Sequence, residues 1–192
     1  MQMQMRRSAV AMIVLVLSGA ASVVLAEQTL IADKSEVVFV SSQMGVPVDG
    51  SFSKFQAQVN LDPTRLQSSS VSFTVDVSSV DFPSDDVQKE LAKPDWFDTA
   101  HFPKAEFKSS RIRDLGGGRY EISGTLTIKG RAREVTFPVS LSRSGTVTFV
   151  TGTLTIKRLR FGIGQGEWGD TSLVADDVQI KFKIALSGVP PM

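Results

Sequence analysis

Residues 154–186 read LTIKRLRFGIGQGEWGDTSLVADDVQIKFKIAL, and this stretch decides the fold of the chain. In its last part, apolar residues take every second position from Val178 to Leu186, with Gln179, Lys181 and Lys183 among the residues between them. An alternation of period two with one apolar face predicts a half-buried antiparallel strand. Such a strand needs neighbours at both edges, and we expect the upstream chain to supply strands of the same kind.

The first 26 residues have the pattern of a secretory signal peptide. Arg6 and Arg7 precede an apolar run from Ala9 to Leu17, and mostly small residues follow up to Ala26. We therefore expect cleavage after Ala26, an exported protein, and one folded domain over residues 27–192. The alternative is an uncleaved membrane anchor, but the apolar run is short for a span of about 20 residues.

The composition excludes several classes of site. The chain has no cysteine, which excludes disulfides, thiolate metal sites and cysteine nucleophiles, and its single histidine, His101, excludes multi-histidine metal sites. Without Arg6 and Arg7, 19 basic side chains face 20 acidic ones. A chain so close to neutrality has no bulk attraction for nucleic acid, and we expect no nucleic-acid partner.

Period-two patterns predict eight strands. They lie at Thr29 to Val40, Ser51 to Leu61, Val71 to Val77, Lys104 to Ile112, Tyr120 to Ile128, Val135 to Leu141, Thr146 to Ile156 and Val178 to Leu186. Residues 45–50 are predicted as a turn-rich link. Phe52 and Phe55 are out of phase, which predicts a bulge or bend, and Pro138 predicts an edge or an irregularity. Eight antiparallel strands in up-and-down order predict an all-β barrel.

One short helical insertion interrupts the strands. Ser84 is a suitable N-cap for a helix over residues 84–93, and Pro94 stops it. The following segment, residues 95–103, carries Trp96 and Phe97. Burial of a large apolar side chain contributes about 1.5–3 kcal/mol, so these rings are costly to leave in water. The segment is predicted to be either a plug under the barrel or a lid over a ligand mouth.

The inward faces of the predicted strands are apolar, so a cavity in this barrel should be apolar too. The predicted wall residues are Phe73, Val75, Val77, Phe107, Leu126, Ile128, Phe137, Val139, Phe149, Ile180, Phe182 and Ile184. Trp96, Phe97, Phe161 and Trp168 are predicted at the mouth or the lid. In the seventh strand the apolar parity shifts across Gly152.

Two motifs match known chemistry in their letters alone. Gly164-x-Gly166-x-x-Gly169 has dinucleotide-fingerprint spacing, but a strand rather than a helix follows, which favours a flexible loop. Lys157, Arg158 and Arg160, with Arg131 and Arg133, could form a basic patch for single-stranded nucleic acid. The near-neutral, exported chain instead favours solvated, outward-facing positions for them.

Catalytic and metal-binding patterns are weak. No G-x-S-x-G motif is present, and His101 stands between Ala100 and Phe102, which favours a packing role. The acidic clusters, residues 81–86 and 176–177, lack the regular ligand spacing of a calcium loop. They favour a helix start and a strand entry instead.

Six groups of short motifs follow one another along nearly the whole mature chain. They are Gly50-Ser51-Phe52-x-x-Phe55; Val75-Asp76-Val77-x-Ser79; Asp95-Trp96-Phe97-Asp98 with Phe102-Pro103-x-Ala105-x-Phe107; Gly124-x-Leu126-Thr127-Ile128-Lys129-Gly130; Val135-x-Phe137-Pro138-Val139; and Ile156-x-Arg158 with Phe161-Gly162-Ile163-Gly164. In this order the chain resembles the YceI-like family of periplasmic, lipocalin-like barrels. Arg160 departs from the family, which often has an acid before Phe-Gly.

The resemblance implies an extended eight-stranded barrel in the periplasm whose lumen takes a polyisoprenoid, a quinone-like lipid or a similar amphiphile, with no catalytic residues and no other cofactor. Our first hypothesis is therefore a lipid carrier. The second is an enzyme acting on such a lipid, with Asp76, Glu106 and Tyr120 as loose acid–base candidates. The third is a partner of a membrane redox complex with a collapsed lumen. Transient contact with a membrane or a membrane redox protein, and a homodimer, are left open.

Overall fold

The computed structural model describes residues 27–190, and in them one antiparallel sheet of eleven strands curls into a barrel that carries one short helix. The predicted signal peptide lies outside the described residues. The strands are β1 (Thr29–Leu30), β2 (Glu36–Gln43), β3 (Val46–Phe52), β4 (Phe55–Asn60), β5 (Ser70–Asp76), β6 (Val80–Asp81), β7 (Lys104–Gly116), β8 (Arg119–Ile128), β9 (Arg131–Ser144), β10 (Val147–Lys157) and β11 (Asp177–Ser187), and the helix is α1 (Asp85–Leu91).

The strand order is that of an open sheet whose two sides are linked through the chain. It runs β4-β5-β7-β8-β9-β10-β11-β2-β3-β6, and β1 pairs with β11. β4 begins this order and β3 lies next to its end, yet only Ser53 and Lys54 separate the two strands in sequence. The chain at this bend therefore joins the two sides of the barrel. The bend predicted from Phe52 and Phe55 is confirmed.

Eleven strands replace the eight that were predicted, and each extra strand has a simple origin. The bend at Ser53 and Lys54 divides one long strand into β3 and β4. A 3-10 turn at Ala32–Lys34 separates the two-residue β1 from β2, and β6 is a second two-residue strand, paired with β3. The remaining strands follow the predicted order, so the barrel class is correct.

The turn-rich link predicted for residues 45–50 is wrong beyond Gly45. β3 begins at Val46 and pairs with β2 from Val46 to Ser51. Gly50 is not a turn residue, because a Cβ atom at this position would lie 2.3 Å from Cζ of Phe39. The glycine leaves room for an aromatic ring inside the sheet, which a reading based on turn propensity does not detect.

The helix confirms its sequence signals. The hydroxyl of Ser84 accepts a hydrogen bond from the Val87 N–H at 3.5 Å, and Asp85 and Asp86 lie in the first turn. The helix ends at Leu91, three residues before Pro94. In the part of the chain that the structure describes, no helix has both the length and the apolar character needed to span a bilayer.

Pairing between β9 and β10 stops early. It runs from Ser144 with Val147 to Val139 with Gly152, and the rest of β9 pairs only with β8. Pro138 is the next residue of β9 and has no N–H to donate, so the irregularity predicted there is confirmed.

The barrel has two ends, named here by a residue at each. The Arg158 end holds the β2–β3 and β8–β9 turns and the connections over residues 77–103 and 158–176. The Tyr120 end holds the β7–β8 and β9–β10 turns and the loop over residues 61–69.

Candidate ligand cavity

The interior of the barrel contains a cavity of about 250 Å³ that 35 residues line. They come from every strand except β1 and β6, and nearly all are apolar. The register explains their shared face, since directly paired residues point the same way: Phe73 pairs with Phe107, and Phe107 with Leu126. Aromatic contacts continue the wall, with ring centroids 5.4 Å apart for Phe107 and Phe137 and 5.9 Å apart for Phe137 and Phe182.

Thirteen of the sixteen residues predicted from the sequence line this cavity. They are Phe73, Val75, Val77, Trp96, Phe97, Phe107, Leu126, Ile128, Phe137, Val139, Ile180, Phe182 and Ile184. Their role in holding a ligand stays a prediction.

The prediction missed many wall residues. Among them are Val37, Phe39, Phe52, Ala57, Val59, Leu61, Val71, Ile112, Ile122, Leu141, Val150, Leu154, Ile156, Val178 and Leu186. Most of them continue the same period-two faces, so the alternation could have identified them if it had been followed to the ends of each strand.

Phe149 was predicted in the wall, and this is wrong. Val150, Leu154 and Ile156 of the same strand line the cavity, so even-numbered residues face inward and Phe149 faces outward. The parity therefore does not shift across Gly152. Lys183, also on the outer face, places its Nζ 5.2 Å from the centroid of the Phe149 ring, and this cation–π contact shields the ring from water.

Phe161 and Trp168, which were predicted at the mouth or the lid, do not line the cavity. Phe161 is buried, but in the 3-10 turn Arg158–Phe161 that follows β10. Trp168 packs on Trp96, with ring centroids 5.6 Å apart, and does not reach the cavity. Both residues belong to the loop that covers the Arg158 end.

Trp96 and Phe97 line the cavity at the Arg158 end, and their segment is held against the following loop. The Asp95 carbonyl oxygen accepts hydrogen bonds from the N–H groups of Gly164, at 2.7 Å, and Gln165, at 2.8 Å. Lys129 Nζ donates to the carbonyl oxygens of Pro94 and Gly162 and so ties the same two loops together. Burial lowers the pKa of Lys129, and the nearby Asp98 opposes that shift.

Arg158 is buried at the same end, with 1 % of its surface exposed, and all five of its N–H groups donate to backbone carbonyl oxygens. Nε donates to Ala175, Nη1 to Ile163 and Gly164, and Nη2 to Trp168 and Val174, at 2.7–3.0 Å. We call these five carbonyl groups the Arg158 cradle. Burial lowers the pKa of Arg158, while Asp176 raises it. Because every donor is used, the charge is stabilised without a direct carboxylate partner.

The glycines of the loop make the cradle possible. Gly162, Gly164 and Gly166 all have positive φ angles, and a Cβ atom at position 164 would lie 2.2 Å from Nη1 of Arg158. Residue 164 must therefore be glycine for both its backbone conformation and the close approach of the guanidinium. The structure has a loop here, as was favoured over a dinucleotide fingerprint, and its positive-φ glycines let it wrap around the Arg158 side chain.

The solvated position predicted for Arg158 is wrong. The other members of the suggested basic patch sit at the surface or near it: Arg133 donates to the Arg160 carbonyl oxygen, and Lys157 forms an ion pair of 2.8 Å with Asp177. Asp176 accepts a hydrogen bond from the Leu159 N–H at 3.0 Å and so fixes the start of the turn. Sequence reasoning missed the cradle because its acceptors are main-chain atoms. The available signal was an arginine followed by alternate glycines.

The acid–base candidates do not come together. Tyr120 lines the cavity at its own end, and burial raises the pKa of its phenol, as does Asp114. Asp76 ends β5 at the opposite end, where its carboxylate accepts hydrogen bonds from Ser78 that lower its pKa. Glu106 is among the lining residues of the cavity, but it alternates with the inward-facing Ala105 and Phe107, and its partly exposed carboxylate lies 3.9 Å from Nζ of Lys108 on the outer face.

His101 lies outside the cavity. Its side chain is exposed, and Nδ1 is 2.8 Å from Oδ1 of Asp98. Across residues 27–190, no three His, Asp or Glu side chains are grouped as a metal site would require.

The sequence matches the YceI-like domain over residues 29–186. A UPF0312 protein of Vibrio cholerae is 28% identical over 141 residues, which cover 69% of this chain and 75% of that protein.

Solved structures share the fold. The crystal structure of Burkholderia cenocepacia BcnA superposes with a TM-score of 0.78 at 46% identity, covering 81% of this chain and 98% of that one. A domain from Saccharophagus degradans, described as a polyisoprenoid binding domain implicated in plant cell wall breakdown, gives a TM-score of 0.69 at 20% identity. That match covers 85% of this chain and 99% of the domain. At 20% identity, the second likeness shows the fold alone.

Proposed function

The chain belongs to the YceI-like family, and from this membership we propose that it is a periplasmic binding protein that holds a polyisoprenoid or a similar long-chain amphiphile in its barrel. The proposal includes export through the signal peptide at residues 1–26 and cleavage after Ala26. Binding, rather than catalysis, is the proposed activity.

The observation that carries the proposal is an apolar cavity along the barrel axis. Its wall extends from Leu141 and Leu186 near the Tyr120 end to Ile128 and Ile156 near the Arg158 end. Burial against such a wall stabilises a prenyl chain by about 0.8 kcal/mol for each buried methylene-sized unit. Because a prenyl lipid is insoluble in the aqueous periplasm, it needs a carrier there.

Two further points support a carrier. The related fold from Saccharophagus degradans is described as a polyisoprenoid binding domain. A lumen collapsed onto its own side chains, as the third hypothesis requires, does not fit a cavity of about 250 Å³. The enzyme hypothesis gains no support from Asp76, Glu106 and Tyr120. Tyr120 lies at the opposite end of the barrel from Asp76, and the Glu106 carboxylate lies on the outer face.

Native mass spectrometry of the mature protein, purified from periplasm without detergent, tests this function. We expect a population carrying a bound mass of several hundred daltons that organic solvent extracts as an isoprenoid lipid. A protein that carries no lipid, and that takes up neither geranylgeraniol nor squalene after extraction, would contradict the proposal.

A further inference from the structure

Two polar side-chain atoms in the described part of the chain are buried without any hydrogen-bond partner, Nε1 of Trp96 and Oγ of Ser41. Both residues line the cavity. Buried polar groups are normally paired, so an unpaired donor in an otherwise satisfied structure points to a partner that the protein itself does not supply.

The two atoms belong to the same end of the barrel. The ring of Trp96 lies 5.8 Å from Cζ of Arg158, whose guanidinium donates to the carbonyl oxygens of Val174 and Ala175. Ala175 in turn donates its N–H to the carbonyl oxygen of Ser42 at 2.9 Å, next to Ser41. Trp96 and Ser41 therefore flank the Arg158 cradle on the cavity side, at the end opposite Tyr120.

We propose that the Arg158 end is the subsite for the polar group of the ligand, and that this group is an uncharged oxygen that accepts a hydrogen bond from the indole N–H of Trp96. This inference rests on the proposed function and adds the ligand's orientation and head-group chemistry. The prenyl chain then extends along the apolar wall toward Tyr120.

The hydrogen-bond donors available at this subsite favour a neutral oxygen over a phosphate. Arg158 is the one cationic residue among those lining the cavity, but all five of its N–H groups already donate to the cradle. The indole N–H can only donate, while the Ser41 hydroxyl can donate or accept. A hydroxyl or carbonyl oxygen satisfies this pair, whereas a phosphate would bring negative charge into an apolar cavity without free cationic donors.

The test compares two probes of similar apolar character. Geranylgeraniol carries one hydroxyl group and squalene has no oxygen, and each competes with a fluorescent apolar probe for the lipid-stripped protein. Trp96→Phe keeps an aromatic ring and removes the N–H. The net contribution of one such hydrogen bond is equivalent to about a fivefold change in affinity. We expect a loss of about fivefold for geranylgeraniol and no change for squalene. Ser41→Ala should act in the same direction.

The affinity for squalene is the control for any effect of the smaller ring in Trp96→Phe. A second variant, Trp168→Phe, serves an NMR measurement: Trp168 packs against Trp96 outside the cavity, and its replacement leaves Trp96 as the one tryptophan of the mature chain. The indole N–H of Trp96 then gives a single ¹H–¹⁵N signal. That signal should move downfield with geranylgeraniol but not with squalene.

Three outcomes would overturn the subsite while the carrier stands: Trp96→Phe weakens both probes equally, or changes neither, or geranylgeranyl phosphate binds the wild-type protein more tightly than the alcohol does. Failure of the wild-type protein to bind any of these probes would instead overturn the carrier function itself.

Discussion

The strand wall of the cavity and the Arg158 cradle both face the barrel interior, but they satisfy their buried atoms in different ways. The wall is almost entirely apolar, and its backbone groups pair within the sheet, so Ser41 Oγ is its one buried polar side-chain atom without a partner among the described residues. The cradle is polar, and its five carbonyl groups depend on one guanidinium. The wall can therefore gain or lose a ligand without changing the hydrogen bonds of the sheet. The cradle, in contrast, loses all five of its hydrogen bonds if the Arg158 side chain is removed.

This difference assigns separate tasks to the two regions. An apolar wall is non-directional and accepts any chain of suitable width. A cradle that fixes residues 163–175 around one side chain keeps the barrel end and the nearby Trp96 in place. We infer that the wall supplies affinity, while the cradle fixes the position at which the ligand stops.

The largest effect should come from removing the cradle's donor. Arg158→Met keeps much of the side-chain volume but leaves five carbonyl oxygens, buried or partly buried, without their donor. We expect the free energy of unfolding to fall by about 3–5 kcal/mol. Urea denaturation of the mature protein measures it.

Arg160→Met is the control for this prediction. Arg160 lies two residues along and is exposed, so the same substitution there should change stability by no more than about 0.5 kcal/mol. Equal stability of the two variants would show that the cradle is not a structural centre.

A charge in the wall should produce the next largest effect. Phe182 pairs with Gly152 and lies against Phe137 inside the barrel. Phe182→Asp removes these contacts and buries a carboxyl group without a partner, which should cost about 2–4 kcal/mol and abolish lipid retention.

The adjacent Lys183 supplies a matched control, because it faces outward on the same strand. Lys183→Asp should leave lipid retention intact in native mass spectra. A folded Phe182→Asp protein that still purified with lipid would contradict the inward assignment of β11.

Sequence patterns predicted the wall better than the cradle, and the reason is physical. Alternation along β5, β8 and β11 reports directly which side chains face inward, and Ser84 and Pro94 bound the helix by local chemistry. The cradle is built from main-chain carbonyl groups, which every residue carries, so its acceptors leave no mark in the sequence and only the arginine followed by alternate glycines indicates it.

The errors at Phe149 and Gly50 have a similar cause. Phe149 is apolar yet faces outward, because the strand register overrides hydrophobicity and Lys183 covers the ring. Gly50 lies in a strand because Phe39 occupies the place of its side chain. Both depend on a neighbour from another strand, which local patterns do not contain.

Narrowing the cavity by a substitution in its wall should have a moderate effect on stability and on binding. A Cβ atom at Gly152 would lie 2.5 Å from Cζ of Phe182, so Gly152→Ala must push that ring into the cavity. We expect a loss of about 1–2 kcal/mol in stability and weaker binding of geranylgeraniol. Gly169→Ala is the control, since no atom lies within 4 Å of a Cβ atom there. Unchanged affinity in Gly152→Ala would show that the ligand does not pass Phe182.

The smallest effect concerns the polar loop over residues 61–69 at the Tyr120 end. This loop differs from the buried cradle because water can replace the hydrogen bonds of the loop. Asp62 accepts hydrogen bonds from the hydroxyl and the N–H of Thr64 and from Nε of Arg65, and these partners lower its pKa to about 2. A pKa below the unfolded value means that this contribution to stability is present above about pH 4 and is lost as the pH falls toward 2.

Thr64→Val removes the hydroxyl donor alone, so the pKa of Asp62 should rise toward its ordinary value while stability at neutral pH changes little. An NMR titration of the side-chain carboxyl groups measures the midpoint. Asp170 serves as an internal control, because hydrogen bonds from Ser172 lower its pKa and the substitution does not touch them. A wild-type midpoint near 4 for Asp62 would mean that the loop is not held by this carboxylate. The comparison of an exposed with a buried polar site would then have the Arg158 cradle as its only remaining member.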